Sequence, residues 1–270
     1  MSGKAYNEIR YVVDDPVAVI TLNRPSSMNA FTALTLREIR DALDRAMGDR
    51  RVVGTVITGE GKAFCVGLDA RSLAEAVEQP PDMSIIPADQ PALFSYIRNM
   101  PKPVIAAVNG MCAGGGFVLA LMCDLRFAAE DAVFTTVFSK RGLIAEHATS
   151  WLLPRLVGSG RALDLLWSSR RVGGSEAVEI GLAERLAESG QVVQLAISYV
   201  KDLAESASPQ SLKISKELVN AHWSASFETA AEEGQAAMSV SLGDPDFKEG
   251  VKSFLERRAP IFARLGEKAE

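Results

Sequence analysis

The fold is decided by residues 103–125, which read PVIAAVNGMCAGGGFVLALMCDL. An apolar run ends at Asn109 and Gly110, a triple glycine follows at residues 114–116, and a second apolar stretch begins at Phe117. This order predicts a buried strand, a tight loop and the start of a helix. The first amides of a helix lack carbonyl partners and lie at its positive end, and glycine lets a ligand approach the backbone closely. The stretch therefore predicts either an anion-binding loop or a tight contact of a helix with a strand.

Length and composition limit the classes of function. The chain has 270 residues, 47% of them hydrophobic, and a net charge of -5. The length favours one large domain or a domain with a helical appendage, and the charge argues against nucleic acid as a partner. No apolar run reaches the roughly 18 residues of a membrane span, and residues 1–11 lack the apolar segment of a signal peptide. We therefore expect a cytoplasmic protein with no membrane partner. The three cysteines form no CxxC pair, which favours reduced, buried thiols and no metal site.

Hydrophobic periodicity predicts two regions along the chain. Residues 7–13 and 17–22 are expected to be strands, and residues 52–58 are expected to be a buried strand. Between them, apolar side chains recur at helical spacing at Leu36, Ile39, Leu43 and Met47. Strands that alternate with helices predict a largely parallel sheet. After about residue 148 the pattern predicts an almost wholly helical region.

Several chemistries are excluded by their missing motifs. The chain has no dinucleotide-binding GxGxxG, no P-loop and no GxSxG nucleophile elbow. Its two histidines are His147 and His222, and we expect His222 to be a surface or packing residue. His147 follows Glu146, but neighbours along a helix point in different directions, so no catalytic pair is expected from them.

Two glycine-containing segments have the same layout. Residues 62–69 and 109–116 each place a glycine at the end of an expected parallel strand. In open α/β sheets ligands bind at that edge. Two converging backbone amides there would form an oxyanion hole, which polarises a thioester carbonyl and stabilises an enolate.

With these segments the chain resembles the crotonase, or enoyl-CoA hydratase/isomerase, superfamily. The resemblance covers nearly the whole chain and lies in residues 22–30, 63–69, 105–125 and 153–158. It implies an α/β fold with a β-β-α spiral core and a C-terminal helical trimerisation region, here residues 1–200 and 201–270. It also implies a homotrimer or a dimer of trimers, an acyl-CoA thioester substrate, and no cofactor apart from the coenzyme A of that substrate.

The resemblance also assigns residues to the site. The amides of Leu68 and Gly115 match the oxyanion positions of the family. Asp69 and Asp124 belong to the family motifs, and for each a capping or turn role is favoured over chemistry. The acyl-CoA site is expected to include Ala30, Cys65, Gly67, Leu68, Asp69, Ala70, Arg71, Gly114, Gly115, Val118 and Phe138.

The chain departs from the family at two positions. Val118 and Phe138 stand where the hydratases carry their two glutamates, and neither side chain can move a proton, so hydration by a pair of carboxylates is not expected. Eight residues after Phe138, Glu146 resembles the acidic residue of dienoyl-CoA isomerases and epoxide isomerases, and the aspartate nucleophile of halobenzoyl-CoA dehalogenases. Glu146 is interpreted as a general base, as a covalent nucleophile, or as the acidic start of a helix over residues 147–157.

Leu68, Gly115 and Glu146 are therefore the expected catalytic groups of an acyl-CoA enzyme. Double-bond isomerisation through an enolate is the favoured reaction. Hydration of a 2-enoyl-CoA by Glu146 and one water is the alternative. An acyl-CoA-binding protein of the same fold without turnover is the hypothesis from another class.

Overall fold

The fold consists of two β-sheets with helices around them. A computed structural model describes residues 6–69, 74 and 91–266, so the expected site residues Ala70 and Arg71 lie outside the described residues. The larger sheet has the spatial order β1 (Ile9–Asp14), β2 (Val17–Leu22), β3 (Gly54–Gly59), β5 (Val104–Val108), β7 (Leu125–Ala129) and β10 (Arg185–Ala187). The smaller sheet has the order β4 (Ala63–Cys65), β6 (Met111–Ala113), β8 (Val133–Thr135) and β9 (Val172–Gly173).

Successive strands pass from one sheet to the other. β3, β5 and β7 are parallel neighbours in the larger sheet, and β4, β6 and β8, which follow them in the chain, are parallel neighbours in the smaller one. Every residue of β3 and β5 is buried, which explains the continuous apolar sequence of β5. This repeated strand-strand step, with a helix after β6, is the β-β-α spiral core, and the expectation of an α/β crotonase-like fold is confirmed.

The helices of the first 180 residues pack around the two sheets. Thr32 begins the first of them with a capping box, because its hydroxyl accepts hydrogen bonds from the amides of Leu34 and Thr35. These helices are α1 (Ala33–Gly48), α2 (Gly115–Met122), α3 (Thr149–Val157), α4 (Ser159–Ser168) and α5 (Gly174–Glu179).

The last third of the described chain adds four longer helices. They are α6 (Val192–Ser206), α7 (Pro209–His222), α8 (Phe227–Ser241) and α9 (Pro245–Glu256). Ser208 and Asp244 cap α7 and α9, and in each a proline follows at the first helical position, as the sequence favours. The expected boundary at residue 200 falls within α6, where Val200 packs against Gly54 of the larger sheet. The division into two regions stays a prediction.

The sequence pattern predicts an almost wholly helical chain after residue 148, but the structure contains two strands there. β9 and β10 lie there, and β10 extends the larger sheet beside β7. These strands have two and three residues, which is too short for an alternating pattern to be recognised. None of the described helices has the length and hydrophobicity of a membrane span.

The three cysteines lie in the core and form no disulfide. Cys65, Cys112 and Cys123 are all free and buried. Burial raises the pKa of the Cys65 and Cys123 thiols to about 12, so these thiols stay protonated at neutral pH. The expectation of buried thiols is confirmed.

Candidate active site

The two glycine-containing loops meet at one edge of the smaller sheet. β4 and β6, which precede the loops, pair in parallel, with Cys65 opposite Cys112. The backbones beyond them are in contact, because a Cβ atom placed on Gly67 would lie 2.7 Å from the amide nitrogen of Gly115. The structure therefore brings together the segments that carry the two expected oxyanion amides.

The triple glycine allows this contact. A Cβ atom on Gly116 would lie 2.1 Å from the carbonyl oxygen of Cys65, so α2 starts directly against β4. Gly114, which precedes α2, has φ 52 and ψ -121, a conformation that is accessible mainly to glycine. The interpretation as a tight contact of a helix with a strand is therefore confirmed, and anion binding at this helix terminus stays a prediction.

The amides of Leu68 and Gly115 have no acceptor among the described residues. The amide of Phe31 donates to the Gly67 carbonyl over 2.7 Å, and the amide of Asp69 donates to the Phe31 carbonyl over 3.0 Å. Because successive amides of an extended chain point to opposite sides, the N–H of Leu68 points away from Phe31. Gly115 is the first residue of α2, so its amide has no partner within the helix. Two unpaired donors thus lie on adjacent backbones.

Val118 and Phe138 are packed in the hydrophobic core. Their exposed fractions are 0% and 2%. Val118 lies in α2, and Phe138 precedes the short 3-10 helix Ser139–Arg141. Val137, just before Phe138, has φ 53, which is rare for a β-branched residue and costs about 1–3 kcal/mol. Its side chain lies 3.3 Å from the Cβ position of Gly114, next to the glycine loop.

Glu146 lies in the loop before α3 and not in a helix. The helix that the sequence predicts over residues 147–157 begins at Thr149, whose amide donates to the Glu146 carbonyl over 3.0 Å. His147 and Ala148 have φ 50 and 61, left-handed values that a helix cannot contain, and this explains the later start. This later start weakens the interpretation of Glu146 as a residue of the helix start. The side chain of Glu146 is 38% exposed.

The side chains of Glu146 and His147 face each other. The Nε2 atom of His147 lies 3.9 Å from the Oε2 atom of Glu146. The expectation that they diverge was wrong, because it assumed that both lie in a helix. Burial lowers the pKa of His147 from 6.5, against the opposing charge of Glu146, so the imidazole is neutral at pH 7. No sequence pattern indicates this pair, since it depends on two left-handed residues.

A series of contacts runs from His147 through Leu93, Phe94 and Phe31 to the second glycine loop. The amide of Leu93 donates to the Nδ1 atom of His147 over 3.4 Å. The next residue, Phe94, packs against Phe31 with ring centroids 5.3 Å apart, and the Phe31 ring lies 3.4 Å from the Cβ position of Gly115. The sequence analysis did not single out Phe31 or Phe94. Nothing in the sequence distinguishes these two phenylalanines from other apolar core residues.

The remaining expected site residues have structural partners. The carbonyl of Ala30 accepts from Arg24 over 2.5 Å, and the Asp69 carboxylate forms an ion pair with Arg24 at 3.2 Å. The Cys65 thiol accepts from the amide of Gly67 over 3.4 Å. These contacts hold the first glycine loop in place. Among the described residues, no cluster of three or more potential metal ligands occurs.

The structure combines a two-sheet α/β core with two glycine loops whose unpaired backbone amides lie on adjacent segments. The family model "Enoyl-CoA hydratase/isomerase" matches residues 13–264. The chain belongs to this family of the crotonase superfamily, and the expected family is confirmed.

Relatives and solved structures agree with this family. The "Probable enoyl-CoA hydratase" of Bacillus subtilis (strain 168) is 34% identical over 257 residues, which cover 95% of this chain and 98% of that protein. A "Probable enoyl-CoA hydratase" of Rhodobacter capsulatus is 35% identical over 96% of this chain and 98% of that protein. The crystal structure of a probable enoyl-CoA hydratase/isomerase from Mycobacterium abscessus has a TM-score of 0.86 at 34% identity, with coverage of 95% and 99%. The enoyl-CoA hydratase of Bacillus anthracis has a TM-score of 0.87 at 30% identity, with coverage of 95% and 99%.

Proposed function

We propose that the protein acts on an acyl-CoA thioester and moves a carbon–carbon double bond, with Glu146 as the single acid/base. One observation carries the preference for isomerisation. The two positions that hold glutamates in the hydratases are the buried Val118 and Phe138, so we assign the proton transfer to Glu146. Moving a proton between two carbons of one enolate needs one base and no water.

The reaction proceeds through an enolate held by backbone amides. The thioester carbonyl oxygen accepts hydrogen bonds from the amides of Leu68 and Gly115, which bind the negative charge that develops on it. Glu146 removes a proton from C2 of a 3-enoyl-CoA, and the C2–H electrons spread into the thioester and the C3–C4 double bond. Glu146 then returns the proton to C4. The product is the 2-enoyl-CoA, and no atom is gained or lost.

Hydration is the second candidate, and the names of the relatives in Bacillus subtilis and Rhodobacter capsulatus favour it. In this reaction Glu146 alone would orient a water molecule for addition to a 2-enoyl-CoA. An acyl-CoA-binding protein without turnover is the third. Coenzyme A enters only as part of the substrate, and no further cofactor is invoked. The cytoplasmic location and the absence of a nucleic-acid partner stay predictions.

A panel of 2-enoyl and 3-enoyl thioesters with product identification distinguishes the three reactions. We expect conversion of a 3-enoyl-CoA to the 2-enoyl isomer to be faster than hydration of that isomer. Rapid formation of a 3-hydroxyacyl-CoA, at tens per second or more, would contradict the preference for isomerisation. Binding of acyl-CoA with no product from any thioester would support the third candidate, an acyl-CoA-binding protein without turnover.

A further inference from the structure

The side chain of His147 is directed at Glu146 by an unusual backbone. In an extended chain, neighbouring side chains point to opposite sides. Here His147 and Ala148 are both left-handed, with φ 50 and 61, and the imidazole of His147 comes to lie beside the carboxylate of Glu146. The His147 side chain is only 17% exposed. Left-handed non-glycine residues occur mainly where the surrounding structure enforces them, and they concentrate at functional sites.

The contact with Leu93 determines which imidazole nitrogen carries the proton. The amide of Leu93 donates to Nδ1 over 3.4 Å, at the long end of the hydrogen-bond range. A neutral imidazole that accepts at Nδ1 carries its hydrogen on Nε2. Burial keeps the ring neutral by lowering the pKa of His147. The N–H of the ring therefore lies on the side of Glu146.

Rotation of the Glu146 side chain can close the gap between its carboxylate and the imidazole of His147. Nε2 and Oε2 are 3.9 Å apart, about 1 Å more than an N–H···O bond. Glu146 is partly exposed and can rotate, and hydrogen bonds of acid/base groups often tighten only when the substrate is bound. Within the described chain, the negative charge of Glu146 raises the pKa of His147 and so opposes the effect of burial.

We propose that His147 is a positioning residue for Glu146. Its Nε2–H donates to the carboxylate, holds it toward the substrate and stabilises its charged form, which is the form that accepts a proton. This role rests on the proposed function of Glu146 as the base. It gives Glu146 a partner at a site where the second carboxylate of the hydratases is replaced by Phe138.

Two substitutions separate this role from a purely structural one. His147→Gln places an amide N–H at the Nε2 position and cannot titrate in this range. His147→Asn places its amide at the Nδ1 position, tolerates the left-handed backbone and has no donor that reaches Glu146. A structural role requires only the backbone and the Leu93 contact, so it predicts that Asn works and Gln does not. The positioning role predicts the reverse.

The experiment measures kcat and KM of the two variants on the thioester that the wild type converts. For His147→Asn we expect kcat to fall by about 10- to 100-fold, the size of a hydrogen bond to a charged group, with KM within about threefold. His147→Gln should stay within about threefold of wild type. His222→Asn, at the other histidine of the chain, is the matched control.

The outcomes separate this inference from the proposed function. A wild type without turnover overturns both. An active wild type with a folded His147→Asn variant of unchanged kcat overturns the positioning role alone. If the variant does not fold, nitrogen NMR of the histidine-labelled wild type decides. A proton on Nε2 of His147, with a signal that shifts when a saturated acyl-CoA binds, supports the role, and a proton on Nδ1 overturns it.

Discussion

Each of the three glycines at residues 114–116 is favoured for a different physical reason. Gly114 has a positive φ, the amide of Gly115 borders Gly67, and Gly116 faces the carbonyl of Cys65 at a distance that excludes a Cβ atom. The sequence predicts that some close approach occurs here, because only glycine is free of a side chain. It could not predict which backbone approaches, because β4 lies about fifty residues earlier in the chain.

At Gly115, a pair of substitutions tests the oxyanion amide. Gly115→Pro removes the N–H while proline remains acceptable at the first position of a helix. We expect kcat to fall by about 10² to 10³, the effect of losing one oxyanion donor. Gly115→Ala keeps the amide, and its Cβ atom would lie 3.4 Å from Gly67 Cα and the Phe31 ring, so it should lose far less. Circular dichroism checks that both variants fold. A folded proline variant with normal kcat would place the oxyanion elsewhere.

At the scale of elements, a half-buried ion pair helps to attach α7 to the core. Lys216 of α7 donates to the Asp124 carboxylate over 2.8 Å and to the Ile97 carbonyl over 3.0 Å. Asp124 also accepts from the amide of Val104 over 2.7 Å. Burial raises the pKa of Asp124, and the charge of Lys216 opposes that change. These contacts support the interpretation of Asp124 as a structural residue.

Removing the cation should loosen this attachment. Lys216→Met leaves the half-buried carboxylate of Asp124 without this cation, which is expected to lower the free energy of unfolding by about 1–3 kcal/mol at pH 7. The raised pKa of Asp124 means that the folded protein binds a proton more readily than the unfolded chain. Without Lys216 the pKa of Asp124 rises further, so protonation stabilises the variant more than the wild type, and the deficit should shrink as the pH falls. Denaturant unfolding at several pH values measures this difference in the free energy of unfolding. The double variant Lys216→Met with Asp124→Asn should recover part of the lost stability. An unchanged free energy of unfolding for Lys216→Met would contradict this account.

The elements differ in how well the sequence predicted them. β1, β2, α1, β3, β5 and α2 follow from periodicity, because each has at least five residues of regular pattern. The strands β9 and β10 are too short to show a pattern, and they form because β8 and β7 provide partners. At the site, the glycine loops were predictable from composition and spacing. The facing pair of Glu146 and His147 was not, because it depends on backbone angles that no local signal specifies.

At the scale of the whole molecule, the C-terminal helices carry apolar side chains that the single chain leaves exposed. Phe227 of α8 is 83% exposed and Phe254 of α9 is 81% exposed. The helices α7, α8 and α9 border an apolar groove that Phe247, Val251 and Leu255 help to line. Exposed apolar patches of this kind are rare on monomers. They support the proposal of a homotrimer or a dimer of trimers.

Light scattering tests this assembly directly. We expect a mass of three or six chains. Phe254→Glu places a charge on the exposed face of α9 and should lower the mass, whereas Val12→Glu, at a 58% exposed position of β1, serves as the control outside the C-terminal helices. A wild type that stays monomeric at micromolar concentration would exclude the proposed trimer.

The central claim is that Glu146 moves the proton while backbone amides hold the thioester. Turnover of a 3-enoyl-CoA by Glu146→Gln, measured beside the binding of a saturated acyl-CoA, tests it most directly. Glutamine keeps the shape of the side chain and cannot accept the proton. The account predicts that kcat falls by about 10² to 10⁴, the effect of losing a general base, while binding stays within a few-fold. Full activity of the folded variant would contradict it.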